Sequence, residues 1–288
     1  MRVIRQAQKL SKILKEISCK RKSIGFIPTM GALHLGHLSL IKRAVKENDI
    51  VVVSILVNPA QFGPKEDLKK YPRPLKKDLA LCRKERVDFV FLPDSKVMYP
   101  QGYSTFVNVE GLSNLLCGAT RPGHFRGVAT IVAKLLNIVT PSVLYLGQKD
   151  AQQAIIIKRM IEDLNFPVKV RIMPIVRQDD GLALSSRNVY LNKKQSSEAV
   201  VLSKALDLSK SLFENGARDC SRIINRMTQL ITKKKEARID YVSIVDLEKL
   251  EKIRKIDQCC LVALAVKFGN TRLIDNTIIN PLRFKNYA

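Results

Sequence analysis

Between residues 24 and 172 the chain alternates short apolar runs with longer amphipathic stretches. The clearest run is 50–57, apolar and mostly β-branched around a single serine, as a strand buried on both faces requires. Runs at 24–28, 88–92, 142–146 and 168–172 read as further strands. Helical periodicity appears over 6–18, 36–47, about 75–86, 128–139 and from Asp150 to about 164. Strands separated by helices pair in parallel through right-handed crossovers, so this part is an α/β unit. Residues 104–109 alternate weakly and predict one more strand, and 118–127 reads as a loop rich in Gly and Arg.

The texture changes after Pro174. A polar loop over 177–188 leads to helical patterns at about 195–213 and 219–233. Strand-like segments follow at 238–245, 259–268 and 271–279. Helices followed by consecutive strands imply a smaller α+β unit. The expected boundary is near 175, giving units of 1–175 and 176–288.

The formal charge of +24 invites a nucleic-acid reading, but its distribution does not support one. Residues 1–175 carry 29 Lys+Arg against 13 Asp+Glu, and 176–288 carry 21 against 13, so both parts are basic. There is no aromatic interleaving of the kind that stacks bases. No nucleic-acid partner is expected, and the charge suits small anionic substrates. Apolar runs fall well short of the roughly 20 residues that a membrane span needs. The N-terminal stretch also lacks the apolar core of a secretion signal, so no membrane partner and a cytoplasmic location are expected. None of the six cysteines forms a Cys-x-x-Cys pair. All six are expected as reduced thiols, mostly in the core, with no metal site on the chain.

In an open α/β sheet, ligands bind beyond the carboxyl ends of the strands. The unusual polar clusters all fall there. Run 24–28 leads into Met30, Gly31, Ala32, Leu33, His34, Leu35, Gly36 and His37; run 50–57 leads to Asn58 and Gln61. Run 142–146 leads to Gly147, Gln148, Lys149, Asp150, Gln152 and Gln153; run 168–172 leads, after a gap, to Leu184, Ser185, Ser186 and Arg187. Each cluster alone has a plainer explanation as a turn, a cap or a solvated helix start. A lysine at a helix N-terminus opposes the helix dipole, however, and a bound anion would explain it. Two of the chain's three histidines, spaced i and i+3 at another helix start, add donors for phosphate.

The His-x-Gly-His turn after a strand resembles the signature of the nucleotidyltransferase superfamily, which implies a Rossmann-like ATP-binding domain. Five stretches narrow the resemblance: 28–37 (PTMGALHLGH), 57–62 (VNPAQF), 121–128 (RPGHFRGV), 147–153 (GQKDAQQ) and 184–188 (LSSRN). In that order they resemble the pantoate–β-alanine ligase family. The resemblance implies ATP, pantoate and β-alanine as substrates, Mg²⁺ carried with ATP, a homodimer, and a smaller C-terminal lid. Two positions depart from the family pattern: Gln148 stands where Glu is usual, and Leu184 where Met is frequent.

Carried over to this sequence, the resemblance assigns His34, His37 and Lys149 to catalysis, with His37 the better candidate for protonating the leaving group. Residues 30–37, 147–150, Val176 and 184–187 would bind ATP. Asp150 would accept from the ribose hydroxyls, Val176 would flank adenine, and the Ser185–Ser186–Arg187 loop would close over the triphosphate. Gln61 and Gln153, with Asn58 as a lesser candidate, would bind the other substrates. Arg121 and His124 receive no chemical role. The alternatives are another nucleotidyltransferase of the superfamily or a basic RNA-binding module.

Overall fold

The computed structural model describes residues 1–64 and 66–284. The first sheet comprises β1 (Arg2–Ile4), β2 (Ile24–Thr29), β3 (Ile50–Ile55), β4 (Phe89–Phe91), β5 (Val143–Gly147) and β6 (Lys169–Met173). Its order is β1-β4-β3-β2-β5-β6, and every pair is parallel. The chain moves outward from β2 through β3 to β4, then returns to place β5 on the other side of β2. The strand order therefore reverses between β2 and β5, where a crevice opens at the carboxyl ends of the strands.

The helices of this unit are α1 (Ala7–Cys19), α2 (Leu35–Glu47), α3 (Leu75–Lys84), α4 (Ser95–Met98), α5 (Cys117–Thr120), α6 (His124–Val139) and α7 (Ala151–Asp163). Alternation along β2 divides them between the two faces. Ile24 and Phe26 join a core with residues of α1, α6 and α7. Ile27 joins a second core with residues of α2 and α3. Phe26 is fully buried, and burying a side chain of that size contributes about 1.5–3 kcal/mol.

Beyond β6 come α8 (Lys193–Ala199), α9 (Val201–Glu214) and α10 (Cys220–Thr232). An antiparallel sheet follows, β7 (Ala237–Asp246), β8 (Cys260–Phe268) and β9 (Thr271–Ile279), and then α11 (Pro281–Phe284). Alternation again serves two cores. Cys260, Val262, Leu264 and Val266 of β8 pack with α9 and α10, while Leu261 and Ala263 join the core of the first unit. The smaller sheet thus lies against the larger unit. Residues 285–288, assigned to the second unit from sequence, lie outside the described residues.

Several sequence expectations need correction. Residues 104–109 form no strand; Val107 instead donates its N–H to Thr130 Oγ1 at 2.9 Å, and Phe106 is covered by the Arg126 guanidinium at 3.9 Å. The expected loop at 118–127 contains α5 and the first turn of α6, because the left-handed Gly123 (φ 79°) starts α6 four residues early. The expected helix over 195–213 divides at Val200 into α8 and α9. β1 was unforeseen: it has three residues, two of them exposed, too few to show a period. All six cysteines are free, four of them buried, and Cys260 is buried where its neighbour Cys259 is half-buried.

Candidate active site

The crevice between β2 and β5 holds a cavity of about 220 Å³. Its wall includes Met30, His34, Gly36 and His37 after β2, Asn58 and Gln61 after β3, and Gly147, Lys149, Asp150 and Gln153 after β5. Val176, Leu184, Ser185, Ser186 and Arg187 close another side, and apolar residues of α6 line the floor. It adjoins a larger cleft of about 1330 Å³ that reaches the smaller sheet, sharing Lys149, Asp150, Gln153, Arg121 and Arg187.

The two imidazoles are set by the start of α2. His34 is its N-cap, and its Nδ1 accepts from the Gly36 N–H at 3.2 Å. The His34 N–H points to His37 Nδ1 at 3.3 Å. A Cβ on Gly36 would lie 2.9 Å from His34 Cε1, so glycine is what allows the ring to fold back over the turn. With both Nδ1 atoms accepting from backbone, each neutral ring carries its proton on Nε2. Burial and the Lys149 charge lower His34 to about 4, against the pull of Asp150. Burial, then His34 and Lys149, lower His37 to about 3. Both rings are therefore uncharged hydrogen-bond donors at neutral pH. Protonation of a leaving group by His37, as expected from the resemblance, would require a bound polyanion to raise this pKa.

The turn before them is anchored by a residue that the sequence did not single out. Asp78, on α3 and 1% exposed, accepts from the Ala32 N–H at 2.9 Å and the Leu33 N–H at 2.8 Å. It holds Ala32 at φ 50°. Burial raises the Asp78 pKa, and the two N–H groups partly offset this. These contacts take the Ala32 and Leu33 amides away from any ligand in the cavity. Leu33 is buried in the core and Leu35 is 62% exposed. Ala32, Leu33 and Leu35 lie outside this cavity's wall, and Gly31 lines an adjacent pocket with Met30 and Asp78.

Gln61 is presented by a chain of amides. Asn58, 1% exposed, accepts from the Tyr99 hydroxyl at 2.7 Å. It donates to Gly127 O and to Gln61 Oε1, each at 3.0 Å. A Cβ on Gly127 would lie 2.1 Å from Ala60 O, so α6 approaches this turn only because glycine is there. Asn58 has its hydrogen bonds filled by the protein, and it positions Gln61. Of the consecutive glutamines on α7, the buried Gln152 accepts from Cys117 N–H and donates to the Leu112 and Leu115 carbonyls. Gln153 faces the cavity.

Arg121 and His124 also reach the cavity wall. Arg121 Nη1 donates to His124 Nε2 at 3.0 Å, which leaves His124 Nδ1–H to donate to the Gln61 carbonyl at 2.7 Å. Burial, then the Arg121 charge, lowers His124 to about 4, with the Gln61 bond opposing. Arg187 is already engaged, its Nε and Nη2 each 2.9 Å from the Asp67 carboxylate. Ser186 Oγ lies 3.0 Å from the hydroxyl of Tyr71, a buried residue that no sequence signal marked. Gln148 faces away from the cavity towards β9, donating to Asn276 Oδ1 at 3.3 Å.

The parallel α/β sheet brings the His-x-Gly-His turn and Lys149 to one cavity at its switch point, the place where enzymes of this architecture bind their ligands. Residues 2–278 match the family model described as pantoate-beta-alanine ligase. The pantothenate synthetase of Thermosipho africanus is 54% identical over 279 residues, spanning 97% of this chain and all of that protein. The crystal structure of pantothenate synthetase from Thermus thermophilus superposes with a TM-score of 0.93 at 43% identity, covering 98% of this chain and 100% of that one. A pantoate-beta-alanine ligase from Francisella tularensis, complexed with beta-gamma ATP and beta-alanine, gives 0.80 at 35% identity, covering 96% and 97%. The chain belongs to the pantoate–β-alanine ligase family and is a ligase of pantothenate biosynthesis.

Proposed function

We propose that the enzyme condenses pantoate with β-alanine in two steps, activating pantoate as its adenylate. The observation that carries this reading is one cavity lined by Lys149, two imidazole Nε2–H donors and two neutral amides, Gln61 and Gln153. The donors and the cation suit a polyphosphate. The amides suit a ligand with hydroxyls and a carboxylate, since an amide both donates and accepts. An acceptor bearing its own phosphate would call for an unpaired basic residue beside these amides, whereas Arg121, which reaches the Gln61 carbonyl, is paired with Glu66.

In the first step the pantoate carboxylate attacks the α-phosphorus of ATP and pyrophosphate leaves. A carboxylate does not react with an amine, and adenylation supplies the leaving group. His34, His37 and Lys149 stabilise the charge on the phosphates, which is the main requirement of such a transfer. Gln61 and Gln153 orient pantoate. Asp150 and Gly147 hold the nucleoside beside Val176, and Ser185, Ser186 and Arg187 cover the triphosphate. In the second step the β-alanine amine attacks the acyl carbonyl and AMP leaves. The Francisella neighbour, complexed with an ATP ligand and β-alanine, supports this substrate set.

Among the described residues no cluster of three or more His, Cys, Asp or Glu is arranged to hold a metal ion. Mg²⁺, implied by the family resemblance, would accompany ATP and neutralise phosphate charge. We assign the domain boundary to the neighbourhood of residue 175, and expect a homodimer, as the family resemblance implies, in the cytoplasm, as the N-terminal sequence pattern suggested. The test is pantoate labelled with ¹⁸O in its carboxylate. Attack on the α-phosphorus transfers one label to AMP. One label always stays in the amide carbonyl; the other lost to water, or carried into pyrophosphate or inorganic phosphate, would overturn the mechanism.

A further inference from the structure

The turn that carries Lys149 belongs to the larger unit, yet its backbone is held by the smaller one. Asn276 on β9 is 4% exposed. Its side-chain Nδ2 donates to two consecutive carbonyls, Gln148 O and Lys149 O, each at 2.9 Å. Its Oδ1 accepts from Gln148 Nε2 at 3.3 Å. One amide thus grips the turn at three points, and all of its hydrogen bonds are used there. Gln148 fits this role through its neutral donor, since a carboxylate at that position would present an acceptor to Asn276 Oδ1.

The preceding residue holds a second cleft segment. Asp275, 2% exposed, forms a bidentate pair with Arg177 at 2.6 and 3.0 Å. Arg177 also donates to Gly181 O at 3.1 Å, at the base of the loop that leads to Ser185–Arg187. Asp275 Oδ1 accepts from the Asn276 N–H at 2.8 Å, which ties the two anchors together. Two adjacent residues of β9 therefore fasten two of the segments that line the cavity.

We propose that Asn276 is a positioning residue for adenylation, acting through the Gln148–Lys149 turn to fix where the Lys149 ammonium stands. The proposal rests on the assignment of Lys149 to the phosphates given above. It makes the smaller unit part of the construction of the phosphate site as well as its cover. A displacement of about an ångström in a positioned group can cost roughly a hundredfold in rate. Asn276→Ala removes one donor from each of two half-buried carbonyls and the acceptor of the Gln148 amide, and frees the turn to shift.

The experiment is a double-mutant cycle on pantoate-dependent pyrophosphate release, with Asn276→Ala, Lys149→Ala and the pair. Asn276→Ala alone should lower kcat by about tenfold to a hundredfold with little change in KM for pantoate. On the Lys149→Ala background it should cost less than about twofold further. Supplied pantoyl adenylate should still be converted with β-alanine at a near-normal rate. Full and independent losses from the two substitutions, or equal loss in both half-reactions, would overturn the proposal and leave Asn276 as a general support of the fold. Normal pyrophosphate release from Lys149→Ala alone would instead overturn the assignment of Lys149. Gln148→Ala, which removes only the contact to Asn276 Oδ1, keeps the question open to test if Asn276→Ala does not fold. It should lower adenylation by a few-fold and likewise lose its effect when Lys149 is absent. An undiminished effect there would refute the coupling.

Discussion

His37 offers the sharpest distinction between two ways of helping a phosphate depart: donating a hydrogen bond and giving up a proton. Its Nδ1 faces the His34 N–H, so only Nε2–H is free for a ligand, and burial brings its pKa to about 3. An anionic ligand that raised this by about two units would leave the ring neutral above pH 6. A hydrogen bond to a charged group contributes about 1.5–3 kcal/mol, so His37→Ala should slow pyrophosphate release by roughly tenfold to 150-fold. Glutamine can place an N–H near the Nε2 position but cannot act as an acid. His37→Gln should therefore recover much of the loss and remain within about tenfold of the parent. Pyrophosphate release under saturating ATP and pantoate, followed from pH 5.5 to 8, should show no limb due to His37. A wild-type rate that falls as pH rises through 6–7.5, with that limb absent in His37→Gln and with Gln as inactive as Ala, would refute the neutral-donor account.

Gln153→Ala should weaken pantoate by about two- to twelvefold through one lost neutral hydrogen bond, with little change for ATP; equal weakening of both would mark it as structural. Arg187→Ala should depress pyrophosphate release strongly while leaving the conversion of pantoyl adenylate by β-alanine near normal, because the leaving phosphates are gone by then. Acid should destabilise the fold through its buried neutral imidazoles. His34, His37 and His124 titrate at about 4, 3 and 4 in the folded chain, against about 6.5 unfolded, so the unfolded chain binds more protons below pH 6.5. The stability is full above pH 6.5 and lost as pH falls towards 4, at about 2 kcal/mol per imidazole by pH 5. Urea unfolding midpoints at pH 7 and pH 5 measure this, and an unchanged midpoint would show that these rings are not buried as neutral groups.

The parts of this fold that were legible in sequence are those with strong local periodicity. The β-branched run at β3, the strands flanking the histidine turn, and the three C-terminal strands fall within one or two residues of their expected bounds. The meeting of the polar clusters followed from topology alone, since each trails a parallel strand. What escaped was set by distant contacts. Asp78 holds amides 45 and 46 residues away, and nothing in its local sequence marks that. Asn276 grips a turn 127 residues earlier, and Arg121 with His124 buttresses the Gln61 carbonyl across about 60 residues. Gln152 and Gln153 are chemically identical neighbours, and only packing decides that the first secures the 112–117 segment while the second faces the cavity. Residues 104–109 failed for the opposite reason: the alternation is present, but no neighbouring strand pairs with it, and Val107 bonds to the side chain of α6 instead.

The central claim is that pantoate is activated on the enzyme before β-alanine takes part. Isotope exchange between labelled pyrophosphate and ATP, measured without β-alanine, tests it most directly. The account predicts exchange that requires pantoate, persists in the absence of amine, and falls by at least about a hundredfold in Lys149→Ala, as expected for loss of a charged clamp in an enclosed site. Exchange that requires β-alanine, or that proceeds equally well without pantoate, would contradict it.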